Sequence, residues 1–331
     1  VAAVDVWFDA DGVTAVAVAD RQLAVMRFAR AGATWSPKGL ARLSAPDSDA
    51  IETATLVRDG RGQWWVAAVV QSKVYVWNST DARKWSRPTL LARGLDTDDI
   101  GLITRIPGGI AVIWSNQHAD AVFMRMRHDT ASLDAWQPVE VIEQGGGTAD
   151  DHLHAALSGD GTLWLASKNS VDTEGAPQLV LRIRSPEGHW RNLPYAPVTD
   201  DFRPSRPIVI ATPDPKLMVL GHVMYGSRDS RLDHVVFGTV GPADAWILQD
   251  AMPVIAPEAH LATRVNDVTG PKAAFPDEAP WIVLASDGDG RVFEADLRTL
   301  LGNDGVPRSP LQRGARPDGL SEGGAALRNS Q

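Results

Sequence analysis

Apolar residues in this chain come in short runs, and each run is cut by Gly, Asp or Pro. The stretch from 52 to 92 shows the pattern most plainly. ETATLV (52–57) reads as a strand, RDGRG turns, and QWWVAAVV (63–70) forms the next strand. KVYVW (73–77) follows after a two-residue break, STDARKWS turns again, and RPTLLA (87–92) is the fourth. Enrichment in Val, Thr, Tyr and Trp between Gly and Asp breaks is the signature of short antiparallel strands. The turn joining the first two strands recurs as DADG (9–12), IPGG (106–109), SGDG (158–161) and PDPK (213–216).

Five tryptophans mark the period of this pattern. Trp35, Trp85, Trp136, Trp190 and Trp246 are separated by 50, 51, 54 and 56 residues. A fixed period of this size signals stacked supersecondary units, none of which can bury its apolar face alone. Four strands per period make one propeller blade. The chain is therefore expected to be all-β, a β-propeller of six blades with four antiparallel strands each; five or seven blades are compatible with the same period. The units open near residues 3, 51, 98, 151, 205 and 260. The sixth offers WIVLAS (281–286) and RVFEADL (291–297) but no Trp phrase and no fourth strand. Residues 1–301 are expected to form a single propeller domain. Residues 302–331, rich in Gly, Pro and Arg and without periodicity, read as a surface tail.

Composition narrows the partners. With 32 basic against 41 acidic side chains the net charge is −9, which disfavours a nucleic-acid surface. Cysteine is absent, so disulfides, thiolate metal sites and a cysteine nucleophile are excluded. No apolar run approaches the roughly 18 to 20 residues that span a bilayer. The first residues carry no basic and apolar leader pattern. Oligomeric state leaves no mark on the sequence.

Two resemblances follow from particular motifs. Ser79-Thr-Asp81-Ala-Arg83-Lys-Trp85 resembles the Asp-box S-x-D-x-G-x-x-W of sialidase-like propellers, with Arg83 in place of Gly. Such a box ties down a turn and implies a fold rather than an activity. DDIGLI (98–103), IAVIWSNQ (110–117), ADDHLHAAL (149–157), LWLASKN (163–169) and RPSRPIVI (203–210) together resemble a family of uncharacterised bacterial extracellular propellers. This chain has DDHLH where that family has DDHIN. The resemblance implies the fold, the order of blades and an extracellular or periplasmic location. It implies no particular reaction.

The propeller frame then points to a site. The innermost strand of each blade starts on one face of the disc, and the antiparallel second strand ends there. Strand starts supply Asp49, Asp98 and Asp99, Asp150 and Asp151, Asp200 and Asp201, and Glu258, followed by His152, His154, Arg203, Arg206 and His260. Second-strand ends supply Asn116, Gln117, Lys168, Asn169, Tyr225, Arg228 and Asp287. Any one Asp can simply cap a turn. Several on one axis raise each other's pKa and call for cations, which Lys168, Arg203, Arg206 and Lys272 can supply, so a structural ring of ion pairs is the plain alternative.

Two chemistries fit the set. Asp99 and Asp151, from adjacent blades, suit glycoside hydrolysis. His152 with Tyr225 and an arginine suits β-elimination on a uronic acid, with His or Tyr taking the proton. The expected catalytic group is thus Asp99, Asp151, His152 and Tyr225. Asp98, Asn116, Gln117, Asp150, Lys168, Arg203, Arg206 and Lys272 would contact a carbohydrate ligand. A sialidase needs an arginine triad and a Tyr–Glu pair; the only tyrosines are Tyr75, Tyr195 and Tyr225, and none has such a Glu beside it in register. No cofactor is required by either chemistry. Asp150, Asp151, His152 and His154 offer donors for a divalent cation such as calcium. Trp65, which alternates with Trp64, is a candidate sugar platform. A non-catalytic module that binds a glycan, peptide or cation is the reading from a different class.

Overall fold

The computed structural model describes residues 4–9, 12–19, 22–31, 34–46, 51–214, 218–229, 232–240, 252–255, 264–273 and 281–298. These residues form six antiparallel sheets in which each strand bonds to the next in sequence. Blade 1 holds β1 (Val4–Asp9), β2 (Gly12–Ala19), β3 (Gln22–Ala31) and β4 (Thr34–Leu43). Blade 2 holds β5 (Ile51–Arg58), β6 (Trp64–Val70), β7 (Lys73–Ser79) and β8 (Thr89–Arg93). Blade 3 holds β9 (Gly101–Ile106), β10 (Gly109–Asn116), β11 (Ala121–His128) and β12 (Glu140–Gln144). Blade 4 holds β13 (Leu153–Leu157), β14 (Leu163–Lys168), β15 (Pro177–Arg184) and β16 (Trp190–Pro197). Blade 5 holds β17 (Phe202–Ala211), β18 (Met218–Gly226), β19 (His234–Val240) and β20 (Met252–Ile255). Blade 6 shows β21 (Val265–Thr269), β22 (Ile282–Asp287) and β23 (Val292–Asp296) among the described residues. The six-bladed all-β propeller is the fold that the tryptophan period predicts; the first described strand of the sixth blade is Val265–Thr269, and the predicted opening near 260 lies outside the described residues. Asp49, Trp246, Glu258, His260 and the 302–331 segment lie outside the described residues.

Neighbouring blades are joined by buried apolar clusters. In β6 every residue is buried, because a blade between two others has both faces covered. Alternation sends Trp64, Val66 and Ala68 against blade 1 and Trp65, Ala67 and Val69 against blade 3. The repeat tryptophans reach backward. Trp85 packs into the seam between blades 1 and 2, Trp136 into that between blades 2 and 3, and Trp190 into that between blades 3 and 4. Trp136 meets Trp65 of the preceding blade edge to face, with centroids 5.7 Å apart. Trp65 is fully buried, donates from Nε1 to Asp59 Oδ2 at 3.0 Å and carries the Arg127 guanidinium 4.7 Å above its ring. It is core, and no sugar can stack on it.

The innermost strands β1, β5, β9, β13, β17 and β21 line the axis, and side chains from one serve the free edge of the next. Asp5 Oδ2 accepts from Leu56 N at 2.7 Å. Thr55 Oγ1 accepts from Ile103 N at 2.7 Å, and Thr53 Oγ1 accepts from Gly101 N and donates to Gly101 O. His154 Nδ1 accepts from Val209 N at 3.3 Å. At the rim, Asp81 ties its turn as the motif suggests, accepting from Arg83 N, Lys84 N and Ser79 Oγ. Those backbone bonds hold its carboxyl down at about 2. Arg83 is tolerated where a glycine is usual because the left-handed residue is Ala82, at φ 54°.

Truncating a seam tryptophan should loosen two blades at once. Trp136→Ala is expected to lower unfolding stability by roughly 3–5 kcal/mol, the usual cost of deleting a buried aromatic. Trp35 is 48% exposed, and Trp35→Ala should change it by less than about 0.5 kcal/mol. Denaturant titration of the two variants against the parent checks both values.

Candidate functional site

Register breaks at the inner strands build the site. In β5 the pairing with β6 skips between Ile51 and Ala54, so Glu52 and Thr53 leave the ladder and Glu52 stands exposed. In β17 the pairing with β18 skips between Ser205 and Ile208. Pro207 has no N–H to give a ladder, and Arg206 beside it takes a left-handed φ of 50°. That strained bulge directs a guanidinium toward the axis. In β21 the pairing with β22 skips between Val265 and Asp267, which leaves Asn266 out of the ladder just before Asp267. Asp98 stands exposed just before β9, where Gln117 Nε2 donates to its Oδ1 at 2.9 Å.

Asp150, Asp151 and His152 precede β13 and form the densest cluster. His152 Nδ1 lies 3.0 Å from Asp150 Oδ1 and also contacts Asp151 Oδ1. Lys168, at the end of β14, donates from Nζ to Asp150 Oδ2 at 2.7 Å. Burial would raise the Asp150 carboxyl, but its bonds with His152 and Asp151 and the Lys168 ammonium win and hold it well below the usual carboxylate range. Burial likewise opposes a charged His152, yet the two carboxylates raise it above its ordinary 6.5. The cluster thus favours an imidazolium seated between two acids.

These groups share one electrostatic field. The Glu52 carboxyl is raised, first by burial and then by the Asp98 and Asp151 charges. Arg206, His152 and Asp151 all act on Asp267, and Arg206 Nε lies 3.9 Å from Asp267 Oδ1. Tyr225 is flanked by two guanidiniums, with Arg264 4.4 Å and Arg206 5.6 Å from its ring centroid. Burial pushes its phenol up to about 12 in spite of them. Blades 2 to 4 thus bring Glu52, Asp98, Asp150 and Asp151 to the funnel, and blades 5 and 6 bring Tyr225 with Arg206 and Arg264, which pair with Asp267 and Asp233.

Several residues expected at the funnel face elsewhere. Asp99 is fully buried and accepts from Ser115 Oγ, Gln117 N and Asp96 N, so its carboxylate secures the backbone and is not presented to a ligand. Asn116 donates from Nδ2 to Gly94 O and accepts from Ala119 N, closing a turn. His154 sits deeper on the axis than His152, donating from Nε2 to Gly270 O, and burial lowers it to about 4. It stands apart from the three potential metal donors, Asp150, Asp151 and His152, whose ligand atoms lie within 4.8 Å of one another. Lys168 holds one Asp150 oxygen there, and a metal ion would have to displace the proton from His152. Arg203 pairs with Asp172 at the exposed rim. Lys272 is enclosed by the axis, bonded to Leu56 O and Ile103 O.

Glu52, Asp267 and Arg264 escape the strand-start reading. Glu52 falls inside ETATLV, where a strand pattern hides it, and only the bulge exposes it. Asp267 lies within β21, in a stretch where the repeat is faint. A charged residue interrupting an inner-strand pattern is the mark both share.

No family model and no curated protein matches this chain. Among solved structures it is similar to an α-L-arabinanase from Penicillium chrysogenum complexed with arabinobiose, at 12% identity and a TM-score of 0.54, over 88% of this chain and 92% of that one. It is also similar to a mutant α-L-arabinofuranosidase from Fusarium graminearum in complex with an iminosugar inhibitor. There the identity is 11% and the TM-score 0.55, over 88% of this chain and 91% of that one. At these identities the likeness is one of fold.

The cluster's ionisation gives a signed pH dependence. His152 is raised on folding, so its contribution is complete below about pH 6.5 and is lost as pH rises through the folded value. Asp150 is depressed, so its contribution is present above about pH 4 and lost as pH falls further. The Tm difference between the parent and His152→Gln should therefore be widest near pH 5 to 6 and shrink toward pH 9. Melting curves across that range test it; a difference that does not change with pH would contradict the ion pairing.

Proposed function

We propose that this propeller is a carbohydrate-active enzyme, a glycoside hydrolase working at the axial funnel. The observation that carries the reading is the trio Glu52, Asp98 and Asp151, from three consecutive blades, in which Glu52 is raised first by burial and then by the other two. Glycoside hydrolysis needs one carboxyl kept protonated to serve the leaving oxygen and another kept ionised as base or nucleophile. Glu52 fits the proton donor. Asp151, side chain 37% exposed and paired with His152, fits the ionised partner. Asp98, after burial, adds its charge to what raises the Glu52 carboxyl. Arg206 and Gln117 would bind and orient sugar groups, with Arg206 suited to a carboxylate substituent through its planar fork. The fold shared with an arabinanase and an arabinofuranosidase agrees with this assignment.

The elimination chemistry is less well served. It needs a neutral base at working pH, whereas His152 is raised toward the imidazolium and Tyr225 toward a phenol that does not ionise. A polymeric glycan as substrate would place the protein outside the cytoplasm.

Glu52→Gln is expected to lower kcat by roughly 10²- to 10⁴-fold, the range for loss of a general acid. With an aryl glycoside whose leaving group needs no proton, the loss should be much smaller. Asp151→Asn should remove turnover of both substrates. Reducing-end assays on neutral and acidic oligosaccharides read hydrolysis, and ultraviolet absorbance of unsaturated ends reads elimination. Glycan binding without either product would instead make the funnel a recognition site.

A further inference from the structure

Five seams of the ring are closed by apolar clusters, which join blades 1 and 2, 2 and 3, 3 and 4, 4 and 5, and 5 and 6. No such cluster joins blades 6 and 1 among the described residues. Val4 and Phe8, on the face of β1 opposite Trp7, are 53% and 62% exposed. A different contact ties blade 6 to blade 1. The segment after β21 turns inward, and Lys272 Nζ lies 2.6 Å from Asp5 Oδ2 of blade 1. It also donates to Leu56 O of blade 2 at 3.1 Å and to Ile103 O of blade 3 at 2.9 Å.

An ammonium has three protons, and here each finds one oxygen from a different blade. The side chain is only 11% exposed, so the acceptors replace water rather than supplement it. The same segment meets the remaining blades through Gly270. Its carbonyl accepts from His154 Nε2 of blade 4 at 3.1 Å. A Cβ at that position would stand 3.1 Å from the Ile210 side chain of blade 5, so glycine is what permits the approach. Two residues of this segment, Gly270 and Lys272, thus reach all five other blades.

We propose that Lys272 is a built-in cation that closes the ring, its ammonium filling an oxygen cage formed by Asp5, Leu56 and Ile103, and that this cage is a binding site for a small primary ammonium ion once the side chain is removed. The carbonyls are unpaired strand-edge groups and the carboxylate is a buried anion, so an empty cage is destabilising. Because Leu56 and Ile103 belong to the strands that carry or follow Glu52 and Asp98, Lys272 also acts as a positioning residue for the funnel. This last consequence rests on the hydrolase reading; the cage does not.

Lys272→Ala removes Cγ, Cδ, Cε and Nζ, which are the atoms of propylammonium. The variant should melt roughly 5 to 10 °C below the parent. Added propylammonium should restore most of that loss, while tetramethylammonium at equal ionic strength, having no N–H, should not. An unchanged Tm, or equal rescue by both ions, overturns the proposal. If Lys272→Ala does not fold, Lys272→Met can be compared with the double variant Asp5→Asn/Lys272→Met. The double variant should be the more stable, because it no longer buries an unpaired carboxylate; equal stability overturns the cage. Where the parent hydrolyses a glycan, propylammonium should raise kcat of Lys272→Ala over the same concentrations that raise Tm, with KM nearly constant. Rescue of Tm with no turnover by any form, parent included, leaves the cage standing and removes the hydrolase.

Discussion

Each blade of a propeller turns one strand edge toward the axis, where N–H and C=O groups have no partner strand. Six such edges meet in this molecule, and the space between them is too narrow for another sheet. The chain satisfies them with side chains sent across from neighbouring inner strands: the Asp5 carboxylate, the hydroxyls of Thr53 and Thr55, the His154 imidazole and the Lys272 ammonium. Polar residues within the inner strands are therefore committed to the backbone. Among those at or above the strand starts, or lifted out of the ladder by a bulge, some remain able to meet a ligand. That division separates Glu52, Asp151 and Arg206 from Thr55, His154 and Lys272.

The same geometry sets the electrostatics of the funnel. Inner strands converge, so charges at their mouths are close whatever their sequence separation, and like charges must be compensated. Compensation is uneven. Asp150 is bound by Lys168 and His152 and stays ionised, while Glu52 has anions for neighbours and is pushed toward its neutral form. Across the opening, Arg206 and Arg264 lie over the Tyr225 ring, and each is paired with a carboxylate, Asp267 and Asp233.

The architecture was legible because it repeats: the tryptophan spacing located the first five blades, and blade 2 follows its predicted strands within two residues. The site was legible only where a simple register held. Asp98, Asp151 and His152 precede their strands as the blade pattern requires and reach the funnel. Asp99, the very next residue after Asp98, points into the fold, since consecutive residues near a strand face opposite ways. Glu52 was hidden because a bulge changes direction without leaving a clear trace in a hydrophobic pattern. Trp65 looked available because alternation places it opposite Trp64. Alternation cannot tell that a blade in the middle of a ring is covered on both faces.

The tryptophans that mark the period carry a direction. Trp85, Trp136 and Trp190 each close on the seam with the blade that precedes their own in the chain. A ribosome delivers the blades in that same order, so each new clamp finds its receiving surface already folded. Blade-to-blade contacts are then made between segments close in sequence, which shortens the loops to be closed and limits exposure of unpaired edges. Only the last join, between the two ends of the series, must bring distant parts of the chain together. That last seam therefore carries the largest loop-closure entropy of the six.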